Sequence, residues 1–198
     1  MLSLFSGKER DPFLVQPIST ERFDLVSGNW LQAVKVTRPI ARDPEVLQAL
    51  AYPRSSYSLL RWCLQHPIPN GRTHFLHRIK PQGSDTAIGF HMLRLDRSGT
   101  ATLGIALTDK AWWGQGVFEE VRVGLMDHFS RSPRIVRFAG ASLARNFASV
   151  YNYRKLGFRL VGHEVKAWRS PLTDELLDLL IFEYLAEDWR SARKLELR

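Results

Sequence analysis

Cysteine is almost absent from this sequence: Cys63 is the only one in 198 residues. With no second thiol in the chain, no internal disulfide can form and no thiolate metal cluster can be built. No metal is expected, and the reducing cytoplasm is the expected compartment. Long apolar runs are missing too. No stretch approaches the ~18 uninterrupted apolar residues of a membrane helix, so no membrane partner is expected. The opening residues carry Lys8 and lack an apolar core, which does not resemble a secretory leader. Charge of one sign never gathers into a tract. The net charge is +8, from 28 Lys and Arg against 20 Asp and Glu, but the basic residues are scattered. No zinc finger or paired-aromatic RNA signature occurs, so nucleic acid is not the expected partner. A ligand with several phosphates accounts for part of the excess. Internal repeats and low-complexity segments are also lacking.

What is present reads as a single domain over 1–198. The composition, 44% hydrophobic and 24% charged, is that of a globular chain able to bury a core. Residues 1–19, with Pro12 and Pro17, predict an irregular lead-in. Thr20–Ser27 and Leu31–Thr37 read as strands around a Ser27-Gly28-Asn29 turn, with a helix over Trp30–Val36 as the alternative. Asp43-Pro44-Glu45 predicts a helix start reaching Tyr52, and Ser55–His66 a second helix with Leu59, Leu60, Cys63 and Leu64 on one face. Thr73–Ile79, Ala87–Leu95 and Thr100–Leu107 predict an antiparallel meander. A helix over Val117–Ser130, a strand over Arg134–Ala141 and a helix over Asn146–Leu156 follow. Val161–Trp168 and Asp178–Tyr184 predict a closing hairpin, and 186–198 a polar helical tail. The fold class is α/β of the α+β kind: a mixed, mostly antiparallel sheet with helices on both faces.

Two segments carry chemistry. Trp113-Gly114-Gln115-Gly116-Val117-Phe118 lies between a strand and a helix. Gly114 and Gly116 lack Cβ, so successive N–H groups can turn inward as an anion nest, and the helix start adds its own orphan donors. The plainer reading is a loop closed by two turn glycines. In the second segment, Asn146 can cap a helix on which Ser149, Tyr153 and Leu156 share a side, and Gly157 can end it. Tyr153 is either a functional phenol or an ordinary half-buried aromatic between helix and sheet.

Together these segments resemble the GNAT superfamily of acyl-CoA-dependent N-acyltransferases, in particular the branch of ribosomal-protein N-terminal acetyltransferases. The family pattern Arg/Gln-x-x-Gly-x-Gly/Ala binds the CoA pyrophosphate, and it stands here as Trp113–Phe118. The second pattern, Asn-x-x-Ser/Ala followed by Tyr-x-Lys-x-Gly-Phe, is met at Asn146, Ser149, Tyr153, Lys155, Gly157 and Phe158. The likeness is good over about 84–185. Many members of this branch write the loop Trp-Gly-x-Gly-Tyr-Ala, which accounts for Trp113; the departure that matters is the sixth loop residue, usually glycine or alanine and here Phe118.

The resemblance implies acetyl-CoA as co-substrate and strands splayed apart at the acyl-CoA site. It places the diphosphate on Trp113, Gly114, Gln115, Gly116, Val117 and Phe118. The pantetheine falls beside Ile105, Ala106 and Leu107, where Gly104 would mark a bulge opening the gap, with Asn146 and Ser149 among the cofactor contacts. It makes Tyr153 the general acid that protonates the departing thiolate, since a thiol titrates near ~8.5 and a phenol near ~10. No base stands out. Thr102–Leu107 and Arg134–Ala141 lack carboxylates, Asp109 lies past its strand, Glu119 and Glu120 suit the helix dipole, and His91 reads more readily as a packed or surface residue. The missing base favours an acceptor amine of low pKa, such as a protein N-terminus, over a lysine-like amine; a small-molecule amine stays open. Trp30, Tyr52, Tyr57, Trp62 and Trp112 line an acceptor pocket or belong to the core. The competing readings are a catalytically silent acyl-CoA sensor of the same fold and a basic binding module.

Overall fold

The computed structural model describes residues 13–38, 43–44, 46, 69–170 and 173–198. The predicted helix from Ser55 to His66, most of the one reaching Tyr52, and with them Tyr52, Tyr57 and Trp62 lie outside these residues. Eight strands form one sheet: β1 (Ile18–Ser19), β2 (Phe23–Ser27), β3 (His74–Pro81), β4 (Gly89–Leu95), β5 (Thr100–Leu107), β6 (Arg137–Leu143), β7 (Arg159–Arg169) and β8 (Leu176–Leu185). Their order is β1-β2-β3-β4-β5-β6-β8-β7. The described helices are α1 (Trp30–Thr37), α2 (Val117–Phe129), α3 (Phe147–Lys155) and α4 (Ala186–Arg193).

Turn chemistry sets the meander. Gly83 and Gly99 hold φ of +76° and +83° in the β3–β4 and β4–β5 connections, a region that L side chains avoid. Asp96 closes the second turn by accepting from the Ser98 and Thr100 N–H groups. The strands between these turns alternate their faces. Phe75, Ile79, Leu93, Leu95, Leu103, Ile105 and Leu107 enter the main core with α2 and α3, while Leu76, Phe90 and Ala106 meet Val36 of α1 on the opposite face. Helices therefore cover both faces of a mostly antiparallel sheet, as the sequence predicts.

Three expectations are corrected. Leu31–Thr37 is helix, not strand. Asn29 accepts from the Gln32 N–H while the Gln32 side chain accepts from the Asn29 N–H, both at 3.0 Å. That reciprocal capping box starts a helix where the Val-Lys-Val alternation suggests a strand. The lead-in is not wholly irregular: Phe13–Val15 forms a short 3₁₀ turn, and Ile18–Ser19 pairs with Leu25 and Asp24 as an edge strand. Finally, Gly104 marks no bulge. The β4–β5 register runs unbroken from Gly89↔Leu107 to Leu95↔Ala101, with Gly104 opposite Met92.

The opening arises on the other side of β5. Every neighbouring pair is antiparallel except β5 and β6, which run parallel. They pair only at Thr100↔Arg137, Ala101↔Phe138 and Thr102↔Ala139. Beyond this seam β5 continues to Leu107 and β6 to Leu143, with no further pair between them. Each strand stays paired along its outer edge, β5 with β4 and β6 with β8.

Candidate active site

The loop expected to hold phosphate sits where β5 ends. Asp109 caps a short 3₁₀ turn over Lys110–Trp112 by accepting from the Ala111 N–H. The chain then passes Gly114 and Gly116, at φ +75° and +74°, and enters α2 at Val117. A Cβ at Gly114 would meet nothing within 4 Å, so backbone strain, not crowding, calls for glycine there. The N–H groups of Gly114, Gln115, Gly116, Val117 and Phe118 donate to no backbone acceptor among the described residues. Two left-handed glycines followed by a helix start thus present a run of orphan donors, a cradle fitted to a diphosphate.

Arg22, which no sequence motif marks, braces that cradle. The Gln115 carbonyl accepts from Arg22 Nη2 at 3.0 Å. Arg22 is itself held by Glu120, which accepts from Arg22 Nε at 2.6 Å, from the Arg22 N–H at 2.7 Å and from Thr20 Oγ1 at 2.7 Å. Burial alone would raise the Glu120 pKa, but these hydrogen bonds and the Arg22 charge outweigh it and hold the carboxyl below its ordinary value. Glu119 pairs with Lys155 of α3 at 2.6 Å, which raises the lysine pKa through hydrogen bond and charge. The two glutamates therefore tie α2 to the β1–β2 turn and to α3, beyond any interaction with the helix dipole. The Gln115 amide donates to the Ala111 carbonyl at 2.6 Å, and Trp113 Nε1 donates to the Leu107 carbonyl at 3.4 Å. Phe118 is half-buried and packs against the main core, so the bulky sixth residue of the loop goes inward.

Tyr153 lies at the seam. Asn146 caps α3 by accepting from the Ser149 N–H at 3.1 Å, and Gly157 ends the helix at φ +84°. Between them Val150 and Tyr153 face inward. The Tyr153 ring is 2% exposed and stacks on Phe182, with centroids 4.6 Å apart and planes 5° from parallel. Phe182 is the β8 partner of Gly140 on β6. The tyrosine therefore lies across this pair with its hydroxyl over Gly140, where an added Cβ would collide with the hydroxyl oxygen and come within 2.6 Å of Cζ. Gly140 is the first β6 residue past the last parallel pair, Thr102↔Ala139. Glycine at this position lets a phenol reach the point where the strands part. On the other side of the opening, Ile105, Ala106 and Leu107 occupy the free stretch of β5. Their side chains are buried, Ile105 and Leu107 in the main core and Ala106 on the opposite face.

The Acetyltransferase (GNAT) domain family matches residues 25–159, about two thirds of the chain. The chain belongs to the GNAT acetyltransferase family. Acetyl-CoA is the acetyl donor of this family, and the loop fits its diphosphate. The RimL ribosomal L7/L12 α-N-protein acetyltransferase, solved with coenzyme A, is similar at a TM-score of 0.70 and 20% identity, covering 86% of this chain and 98% of that one. Spermidine N-acetyltransferase from Vibrio cholerae, solved with CoA and spermine, is similar at 0.72 and 12%, covering 84% and 97%. Ribosomal-protein-S5-alanine acetyltransferase from Vibrio fischeri is similar at 0.66 and 16%, covering 88% and 98%. No curated protein matches the sequence. Identities this low establish the shared fold.

The GNAT domain also holds a buried polar group that its motifs do not announce. His77 and His91 are cross-strand partners on β3 and β4, both fully buried, and no ring nitrogen of either has a hydrogen-bond partner. Burial, reinforced by the nearby His128 charge, lowers the His77 pKa to about 3. Burial, Arg122 and His77 push His91 well below the ordinary imidazole value. His91 is thus a packed neutral residue, as the sequence reading favours. Among the described residues no group of three or more His, Cys, Asp or Glu side chains could hold a metal, and no helix is long and apolar enough to cross a membrane.

Proposed function

We propose that this chain transfers an acetyl group from acetyl-CoA to a primary amine, with Tyr153 as general acid. The observation that carries this reading is the seat of the Tyr153 hydroxyl over Gly140, where β5 and β6 separate. Acetyl-CoA supplies an activated thioester. The N–H groups of Gly114–Phe118 and the positive end of α2 hold its diphosphate. The free edge of β5 at Ile105, Ala106 and Leu107 takes the pantetheine as an added strand, and Asn146 and Ser149 line the same arm from α3. Tyr153 Oη then delivers a proton to the departing sulfur.

The acceptor is an amine of low pKa, of which a useful fraction is already neutral near pH 7. No carboxylate stands on β5 or β6 to deprotonate a lysine-like amine, whereas an α-amine, near ~7.7–8.0, needs less help. A protein N-terminus is therefore favoured over a small-molecule polyamine. Two of the similar enzymes are described as acting on ribosomal proteins and one on spermidine, so both classes belong in the test. A single domain over 1–198, working in the cytoplasm where acetyl-CoA and ribosomal N-termini meet, fits this chemistry.

Thiol release from acetyl-CoA, measured with peptides beginning in serine or alanine and with spermidine, separates the possibilities. Turnover with the peptides is expected. Faster turnover with spermidine would reverse the acceptor preference. No turnover with any acceptor, beside a clear thermal shift with acetyl-CoA, would leave a silent acyl-CoA binder. A ligand at about 100 times its Kd stabilises by ~2.7 kcal/mol; no shift at millimolar acetyl-CoA would remove the loop assignment itself.

A further inference from the structure

Arg122, in the second turn of α2, is 2% exposed. Its Nε has no hydrogen-bond partner, and among the described residues no carboxylate pairs with it. The guanidinium instead lies over the Tyr153 ring, 4.4 Å from its centroid. Another polar neighbour is the imidazole of His91, which burial and the arginine charge keep neutral. A buried cation without a counter-ion is costly, and proteins ordinarily pair it or leave it out. A hydrophobic side chain of similar length would fill the same space at less cost. The charge therefore calls for an anion that exists only part of the time.

We infer that Arg122 is a positioning residue that stabilises the negative charge developing on Tyr153 as the tyrosine gives up its proton. The inference rests on Tyr153 being the general acid. As the carbon–sulfur bond breaks, its electron pair goes to sulfur and the Tyr153 proton caps that sulfur. The phenolate oxygen left behind recovers a proton released by the acceptor nitrogen, so protons and electrons balance. Over a neutral ring the guanidinium gains only the modest attraction of a cation for a π face. Over a ring carrying phenolate charge, in a buried site of low dielectric, the attraction is far larger. An interaction that grows along the reaction lowers the barrier, while one equal in both states would not. Phe182 stacks parallel to the tyrosine ring, and Gly140 admits the hydroxyl, so the aromatic and the cation together fix the ring where the strands part.

The test uses thiol release from acetyl-CoA with the serine peptide and spermidine, in five chains: wild type, Arg122→Met, Arg122→Lys, Tyr153→Phe and the Arg122→Met/Tyr153→Phe double variant. Arg122→Met is expected to lower kcat ~10–100-fold with little change in the KM for acetyl-CoA, since the interaction is made mainly in the transition state. Its thermal midpoint should be equal or higher, because an unpaired buried charge has been removed. Loss of turnover without loss of stability is what a residue that merely packs would not give. Arg122→Lys, which keeps the charge, should recover part of kcat. In the Tyr153→Phe background Arg122→Met should add less than ~3-fold, because the two act as one unit. Unchanged kcat in Arg122→Met, or the same loss in both backgrounds, overturns the inference while Tyr153 stands. Unchanged kcat in Tyr153→Phe removes the general acid and this inference together.

Discussion

The sheet is two antiparallel blocks of different character. In the first, β1 to β5, the ladders run without a break from Ile18↔Leu25 to Leu95↔Ala101, and the strands of the meander are buried on both faces. In the second, β6, β8 and β7, the inner ladder is regular, but the β7–β8 pairing shifts register between Leu160 and Gly162 and again between Glu164 and Trp168. Strand β7 is exposed along most of its length. Three parallel pairs join the blocks. Each block keeps its own geometry, so the edges between them separate as soon as the seam ends. The first block supplies the Gly114/Gly116 loop and its Arg22 brace; the second supplies Gly140, Phe182 and, through α3, Tyr153. Neither block alone contains the site.

The largest expected effect lies in the second block. Tyr153→Phe keeps the ring on Phe182 and removes only the proton, so kcat should fall by ~10²–10⁴ with acetyl-CoA affinity nearly unchanged. Titration calorimetry beside steady-state kinetics checks it. Unchanged turnover would make Tyr153 a packing residue and leave the second block structural.

Acid should act through the first block. Between the ordinary imidazole value of 6.5 and the His77 value of about 3, the unfolded chain binds a proton that buried His77 does not. Unfolding therefore takes up protons, and stability, fully present above pH 6.5, falls as the pH drops through that window. Each buried neutral histidine contributes a slope of up to ~1.4 kcal/mol per pH unit. Denaturant midpoints from pH 7 to 4 measure it, and His77→Phe should flatten the slope. Equal slopes in the variant and wild type would place the acid sensitivity elsewhere.

Gly140→Ala tests the seam. The new methyl meets the Tyr153 hydroxyl, and overpacking of this kind costs ~1–3 kcal/mol. The loss of stability should be partly relieved in Tyr153→Phe, which removes the atom struck. No relief would mean that the tyrosine lies elsewhere in solution.

The smallest effect is expected at the brace. Arg22 is partly exposed, and its ion pair with Glu120 adds little stability by itself. Its hydrogen bond to the Gln115 carbonyl orients the loop, so Arg22→Ala should weaken acetyl-CoA binding ~3–10-fold, on the order of one hydrogen bond. The thermal midpoint without ligand should barely move. Equal affinity in titration calorimetry would show that the two glycines hold the loop unaided.

Local signals were legible wherever one short stretch of chain sets its own conformation. The glycine turns of the meander, the Gly114/Gly116 loop, the Asn146 cap and the Gly157 stop are all found where residue type predicts them. Local signals mislead where two of them compete. At 30–37 the β-branched alternation suggested a strand, but the reciprocal Asn29–Gln32 cap favours a helix, and helix it is. Such signals are silent where a residue's role depends on a distant partner. Glu120 looks like a dipole residue until Thr20 and Arg22 arrive about a hundred positions away. Gly140 looks like any strand glycine until Tyr153 lies over it, and Arg122 has no local mark at all.

By itself the sequence determined most of the elements and both motifs, because caps, turn glycines and apolar periodicity act within a few residues. Only the tertiary structure decided where the sheet opens. The gap comes from the end of a three-pair parallel seam, not from a bulge at Gly104. Only the tertiary structure, too, set an unpaired guanidinium against the Tyr153 phenol at the gap. Strand pairing and long-range burial join residues far apart in the chain, and no local pattern records which of them will meet.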